Sequence, residues 1–113
     1  MALPHAASGE PLDVRALGET LVHHKTAALF KSQQLEVIRL VLPAGKVLPP
    51  HKVPGEITIQ CIEGILDIDA HGSKQRLVAG QLLFLAGDEL HAVTAVENAS
   101  ALLTIVLAGA GKA

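Results

Sequence analysis

Aromatic residues are nearly absent from this sequence of 113 residues, which contains two Phe, no Trp and no Tyr. Modules that bind single-stranded nucleic acid stack bases on aromatic side chains and usually carry a basic patch. Here nine Lys and Arg are scattered among eleven Asp and Glu, and the formal net charge is −2. The composition therefore predicts a protein that does not bind nucleic acid.

Cysteine and long apolar runs are also scarce. The one cysteine, Cys61, cannot form a disulfide within the chain, so the sequence does not require an oxidising compartment. The longest apolar run, residues 101–110, is interrupted by Thr104 and is about half the length that crosses a bilayer. The first residues place no basic cluster ahead of an apolar stretch. These features predict no membrane segment, no export signal and a cytoplasmic location.

The sequence is rich in short apolar segments that alternate with turn residues. Half of the residues are hydrophobic, which is enough for one compact core in a chain of single-domain length. Gly and Pro recur between the segments without a long helical period, a pattern typical of all-β sandwiches and barrels. We predict strands at residues 26–30, 35–42, 57–62, 66–70, 75–78, 82–85, 91–96 and 101–107.

We divide the chain into an N-terminal arm (1–20), a barrel domain (21–108) and a C-terminal tail (109–113). Stretch 12–17 of the arm fits either a helical turn or an added strand. The Pro49-Pro50 pair is interpreted as a turn between strands. Several predicted strands are apolar on both faces, and a single small sheet would expose half of that surface. We therefore expect a homodimer.

A first candidate motif lies at residues 45–64, GKVLPPHKVPGEITIQCIEG. Five residues separate Gly45 from His51, and Glu63-Gly64 closes the next predicted strand. This stretch resembles the first motif of the cupin superfamily, G(X)5HXH(X)3–4E(X)6G.

A second stretch, GQLLFLAGDELHAVTA at residues 80–95, resembles the second cupin motif, G(X)5PXG(X)2H(X)3N, with Gly80 and His91 at the matching separation. A turn at Gly87-Asp88 can still form although Asp88 replaces a Gly of the motif, because Asp tolerates left-handed backbone. The resemblance covers residues 35–107. It implies an all-β, mainly antiparallel double-stranded β-helix, a barrel of the jelly-roll kind.

The resemblance also implies a metal site, in which two His at i and i+2, a Glu and a distant His converge inside the barrel. His51 stands at the first ligand position and His91 at the last, whereas Val53 replaces the second His and Ile57 the Glu. We therefore expect an incomplete site at His51 and His91 that binds a divalent metal (Zn, Ni, Mn or Fe) only weakly.

Glu56 and Gln60 complete the candidate ligand-binding residues beside the two histidines. Glu56 is one position from the Glu of the motif, so on a strand it faces the opposite side unless the Pro54-Gly55 turn holds it in a loop. Gln60 has the same parity, and its alternative interpretation is an exposed or interface residue. Cys61 is expected in the core as a small hydrophobic residue.

Three functions remain open. The first is a small stand-alone cupin that binds a small molecule in the barrel mouth with an incomplete metal site. The second is a metal-dependent enzyme, of dioxygenase or isomerase type, that uses His51 and His91 with Glu56 or Gln60. The third is a structural or interaction role only. No G-x-S-x-G, P-loop, H-E-x-x-H or CxxC motif is present in the sequence.

Overall fold

The structure is a computed structural model that describes residues 6–107, so the proposed tail at 109–113 lies outside the described residues. A short 3-10 helix, Gly18–His23, precedes the strands. The strands are β1 (Ala27–Lys31), β2 (Leu35–Leu42), β3 (Val47–His51), β4 (Ile57–Glu63), β5 (Ile65–Ala70), β6 (Ser73–Val78), β7 (Leu82–Leu85), β8 (His91–Ala95) and β9 (Ala99–Val106). Within the described range, no helix has the length and apolar character needed to cross a membrane.

The strands form two antiparallel sheets. Sheet A has the order β1-β2-β9-β4-β7, and sheet B has the order β3-β8-β5-β6. Inward-facing side chains of both sheets meet in one hydrophobic core, which includes Ile59, Leu66, Ile68 and Val93. The predicted all-β class is confirmed, and eight predicted strands agree with the structure to within two residues at each end.

The turn predicted at Pro49-Pro50 is wrong, because both prolines lie within β3. Proline cannot donate a backbone hydrogen bond and is therefore confined to sheet edges and bulges. β3 is an edge strand of sheet B, and its register with β8 shifts between Leu48 and His51, where the two prolines lie. An irregular edge strand tolerates both residues.

The N-terminal arm packs against the barrel of its own chain. The N–H group of Ala6 donates to the carbonyl of Leu29 in β1 at 3.1 Å, and Leu21 in the 3-10 helix is only 2% exposed. Stretch 12–17 forms neither the helical turn nor the added strand considered from the sequence. The helical turn begins instead at Gly18.

A polar cluster at the end of β4 anchors the arm. The N–H groups of Leu17 and Gly18 donate to the Glu63 carboxylate at 2.8 and 2.9 Å. The Ser100 hydroxyl donates to the same carboxylate, and Arg39 Nη2 lies 3.6 Å from Glu63 Oε2. Burial alone would raise the pKa of Glu63, but these hydrogen bonds and the Arg39 charge outweigh burial and hold the pKa below its usual value. Glu63 is therefore a stable anion under the arm.

Gly64 allows the chain to turn from β4 into β5. Its φ is +78°, and a Cβ atom at this position would lie 2.1 Å from the carbonyl oxygen of Asn98. Any other residue would combine strained backbone with a clash against main chain. The second Gly of the first motif is thus required by the close approach of the β8–β9 connection.

Candidate functional site

His51 and His91 lie side by side at one end of sheet B. They are cross-strand partners in β3 and β8, and their ring centroids are 4.5 Å apart with an interplanar angle of 53°. His91 shares the inward face of β8 with the buried residues Val93 and Ala95, and it is 4% exposed. His51 in β3 is exposed. The structure therefore brings together the two histidines at the first and last ligand positions of the motifs.

The same kind of hydrogen bond orients both rings. His51 Nδ1 lies 3.0 Å from the carbonyl oxygen of Pro49, and His91 Nδ1 lies 2.9 Å from that of Glu89. A carbonyl oxygen only accepts, so in each neutral ring Nδ1 carries the hydrogen and Nε2 is an acceptor. Neither Nε2 forms a hydrogen bond within residues 6–107. The pair presents two unpaired acceptors.

Apolar side chains stand at the other two ligand positions of the cupin motif. Val53 is half-buried against the core, and Ile57 is 3% exposed. In the part of the chain that the structure describes, no group of three or more His, Cys, Asp or Glu side chains is placed to hold a metal ion. Two imidazoles supply only half of the four ligands of a closed tetrahedral site. The donor set does not fit a tightly held metal.

The structure does not bring Glu56 or Gln60 to the histidine pair. Gln60 alternates on β4 with the buried Ile59 and Cys61, so its side chain points away from the core and is exposed. Glu56 is exposed in the loop before β4 and borders a shallow depression beside Phe84 of sheet A. For Gln60 the physical reason is that strand side chains alternate between faces, and Glu56 lies outside the strand altogether.

Cys61 lies in the core, as expected from its parity on β4, and is 0% exposed. Its Sγ lies 3.4 Å from the carbonyl oxygen of Glu63. Burial raises the pKa of the Cys61 thiol, so the reactive thiolate is disfavoured. This residue contributes packing rather than a nucleophile.

The loop before His91 is tied to the segment that follows His51. Asp88 has a φ of +60°, which confirms the expected turn, and its N–H group donates to the carbonyl of Val53 at 2.8 Å. A Cβ atom on Gly87 would lie 2.2 Å from the carbonyl oxygen of Pro54. This close approach fixes the two motifs against each other at the same end of the barrel.

A cleft of about 380 Å³ opens beside His91, at the end of sheet B. It lies among the end of β3, the β5–β6 turn and the loop before β8, and its walls are mainly apolar. No sequence motif marks this cleft, because its walls come from segments that meet only in the folded chain. Its principal side chains are Pro50, Asp69, His71, Glu89, Leu90 and His91.

His71 and Glu89 join two of these segments. His71 Nε2 lies 3.1 Å from Glu89 Oε1, and the Glu89 carbonyl oxygen is the acceptor for His91 Nδ1. The β5–β6 turn is thus linked through Glu89 to the backbone that orients the His91 ring.

No model of a known protein family matches the chain, and no curated protein matches it in sequence. Solved structures do share its fold. A conserved protein of unknown function from Streptococcus pyogenes is 21% identical, with a TM-score of 0.75, and the match covers 97% of each chain.

Two further structures carry the name of the superfamily. A cupin superfamily protein from Desulfitobacterium hafniense is 17% identical, with a TM-score of 0.75 over 95% of this chain and 99% of that chain. An RmlC-like cupin protein from Desulfovibrio desulfuricans is 22% identical, with a TM-score of 0.68 over 90% of this chain and 97% of that chain. These likenesses confirm the cupin-type double-stranded β-helix.

Proposed function

We propose that this small cupin-fold chain binds a small molecule at the end of the barrel where His51 and His91 meet, without a tightly held metal. The observation that supports this most directly is the unpaired Nε2 atom of His91, a residue that is 4% exposed and borders a cleft of about 380 Å³. Small-molecule sites are concave and mainly apolar, with a few convergent polar groups. The end of sheet B has these properties.

The site chemistry defines the group that a ligand must carry. Both Nε2 atoms are acceptors in the neutral rings, so the complementary ligand group is a hydroxyl or an N–H donor. The apolar walls, which include Pro50 and Leu90, favour a hydrocarbon body attached to that donor. The volume is near the lower end of the range of ligand pockets, about 300–1,000 Å³, and therefore favours a small ligand.

A matched pair of probes tests this proposal. Benzyl alcohol donates a hydrogen bond, whereas benzyl methyl ether has nearly the same body and cannot donate. We expect benzyl alcohol to shift the ring NMR signals of His51 and His91 saturably, and the ether to bind at least about ten times more weakly, which is 1.4 kcal/mol. His51→Gln should weaken binding of the alcohol, and His24→Gln, at an exposed histidine between the 3-10 helix and β1, should leave it unchanged.

Equal binding of the alcohol and the ether would contradict the proposed recognition. A saturable effect on residues elsewhere, with both histidine rings unmoved, would contradict the location.

A metal-dependent enzyme, of dioxygenase or isomerase type, is the second candidate function. One observation favours it: hydrogen bonds from Nδ1 to backbone carbonyls orient metal-binding histidines in many proteins, and both rings have them. That function requires ligands beyond His51 and His91. It predicts about one equivalent of metal per chain in the protein as purified, and a content far below this would count against it.

The proposed setting is a homodimer in the cytoplasm. Cys61 is a buried free thiol, which suits a reducing compartment. Leu82 and Phe84 of edge strand β7 are 63% and 60% exposed, a surface that a second copy of the chain would cover. A structural role without ligand binding is the outcome if no probe reaches the histidines.

A further inference from the structure

The cleft beside His91 is bordered by two carboxylates and two histidines, and one of these histidines, His71, contacts Glu89. Asp69 and Glu89 border it, and the wall includes neither Lys nor Arg. Glu89 contacts His71 through Oε1 at 3.1 Å and is partly buried, with a side chain 21% exposed. Lys74 lies opposite Asp69 in the β5–β6 ladder but is not part of the wall. The wall therefore favours a positive charge over a negative one.

A second, independent feature marks the same cleft. His91 borders it and is 4% exposed, and Nε2 of its ring has no hydrogen-bond partner within residues 6–107. Because Nδ1 is occupied by the carbonyl of Glu89, Nε2 is the atom left for a donor that enters the cleft. Glu89 and His91 thus border one space, and each side chain carries a hydrogen-bond acceptor.

We propose that the ligand of this site is a small organic amine, in which a protonated primary amino group is attached to a hydrocarbon body. This inference rests on the proposed function, since it names the ligand class of the same site. The ammonium group supplies several N–H donors and a positive charge, so one group can serve both the Glu89 carboxylate and His91 Nε2. Pro50 and Leu90 offer apolar contact to the body.

The alternatives satisfy fewer of these groups. A carboxylic acid is ionised at neutral pH and would meet Asp69 and Glu89 with like charge. An alcohol satisfies His91 Nε2 but leaves the charge of Glu89 without an opposite partner in the ligand. The amine is therefore the class whose charge and donors both match the wall.

Three probes with the same ring test the inference: benzylamine, benzyl alcohol and benzoate, titrated into the full chain at pH 7 and followed by the NMR signals of His51 and His91. We expect benzylamine to bind at least about ten times more tightly than benzyl alcohol, a difference of 1.4 kcal/mol, and benzoate to bind most weakly. Added salt should reduce the advantage of the amine, because charge produces it.

Glu89→Gln should remove most of the advantage of benzylamine over benzyl alcohol. Asp69→Asn should reduce the advantage less, since Asp69 is exposed. The matched control is Glu97→Gln, which removes the same charge from an exposed position outside the cleft wall and should change nothing. The amide spectrum of each variant establishes that it is folded.

The outcomes separate the two proposals. If benzyl alcohol shifts both histidines and benzylamine has no advantage in the wild type, or keeps it in Glu89→Gln, the amine inference is wrong and the proposed function stands. If none of the probes shifts either histidine, both proposals are wrong.

Discussion

Restoring the two missing ligands should convert the histidine pair into a metal centre. The substitutions are Val53→His and Ile57→Glu, at the two positions where the cupin motif has metal ligands. Val53 packs against the core and Ile57 is 3% exposed, so both positions lie on the interior side that His91 also faces. Three imidazoles and one carboxylate form a ligand set that suits Zn²⁺ or Ni²⁺.

Without metal, the double variant should be less stable than the wild type. Loss of the buried Ile57 side chain costs about 1.5–3 kcal/mol of apolar burial, and an unsatisfied polar group in its place costs roughly another 1–3 kcal/mol. A combined loss of roughly 2.5–6 kcal/mol is a large part of the stability of a small domain, about 5–15 kcal/mol. The free energy of unfolding in urea measures this loss.

Metal should then return much of the lost stability. A free ligand at 100 times its Kd stabilises the native state by about 2.7 kcal/mol, which for a domain of this size raises Tm by roughly 10 °C or more. Differential scanning calorimetry with and without zinc sulfate measures the rise. Each single variant should show a smaller rise than the pair, because it offers three protein ligands rather than four.

The matched control combines Val53→His with Thr58→Glu, which places the carboxylate one residue away on the opposite face of β4. This control should gain no more from zinc than Val53→His alone. A folded Val53→His, Ile57→Glu variant whose Tm does not rise with zinc would show that the four side chains do not converge, and the placement of the first motif on the barrel interior would be wrong.

Three other regions give independent tests. The pKa of Glu63 in the folded protein lies below its usual value of 4.5, so the Glu63 carboxylate should stabilise the fold fully above pH 4.5 and lose this effect as the pH falls further. Glu63→Gln should flatten this part of the pH dependence of the free energy of unfolding in urea. An unchanged profile would refute the role of Glu63. Sedimentation at micromolar concentration should show a dimer that Leu82→Glu dissociates and that Val22→Glu, at a 58% exposed residue of the 3-10 helix, leaves intact; a monomeric wild type would contradict the dimer. Gly64→Ala should lower the free energy of unfolding by more than about 2 kcal/mol, because it adds a clash to left-handed backbone. Gly72→Ala should lower it by only about 1 kcal/mol, since Gly72 has a φ of +73° but open space around it. Equal losses of stability in urea unfolding would refute the clash.

Strand positions and strand faces could be predicted because both depend on local pattern. Turn residues bound the apolar segments, and the two-residue period of a strand places Cys61 inside and Gln60 outside. β3 could not be predicted, because its two prolines are acceptable only at the edge position that the folded sheet gives it.

The histidine pair could be predicted from the two motifs, but its surroundings could not. The cleft depends on contact between His71 in one turn and Glu89 in another loop, and no local pattern connects the two residues. The position of Glu63 at the end of a strand could likewise be predicted from the first motif. Its hydrogen bonds to Leu17 and Gly18 could not, because they depend on where the arm packs against the barrel.

Titration of benzyl alcohol into protein stripped of metal tests the central claim most directly. The protein is treated with EDTA and dialysed into metal-free buffer, and the ring signals of His51 and His91 are followed by NMR. We predict a saturable shift of both rings, with the same midpoint as in untreated protein and little change when zinc is added back. A metal-free protein whose histidine signals do not move, and that responds to the alcohol only after metal is restored, would contradict the claim.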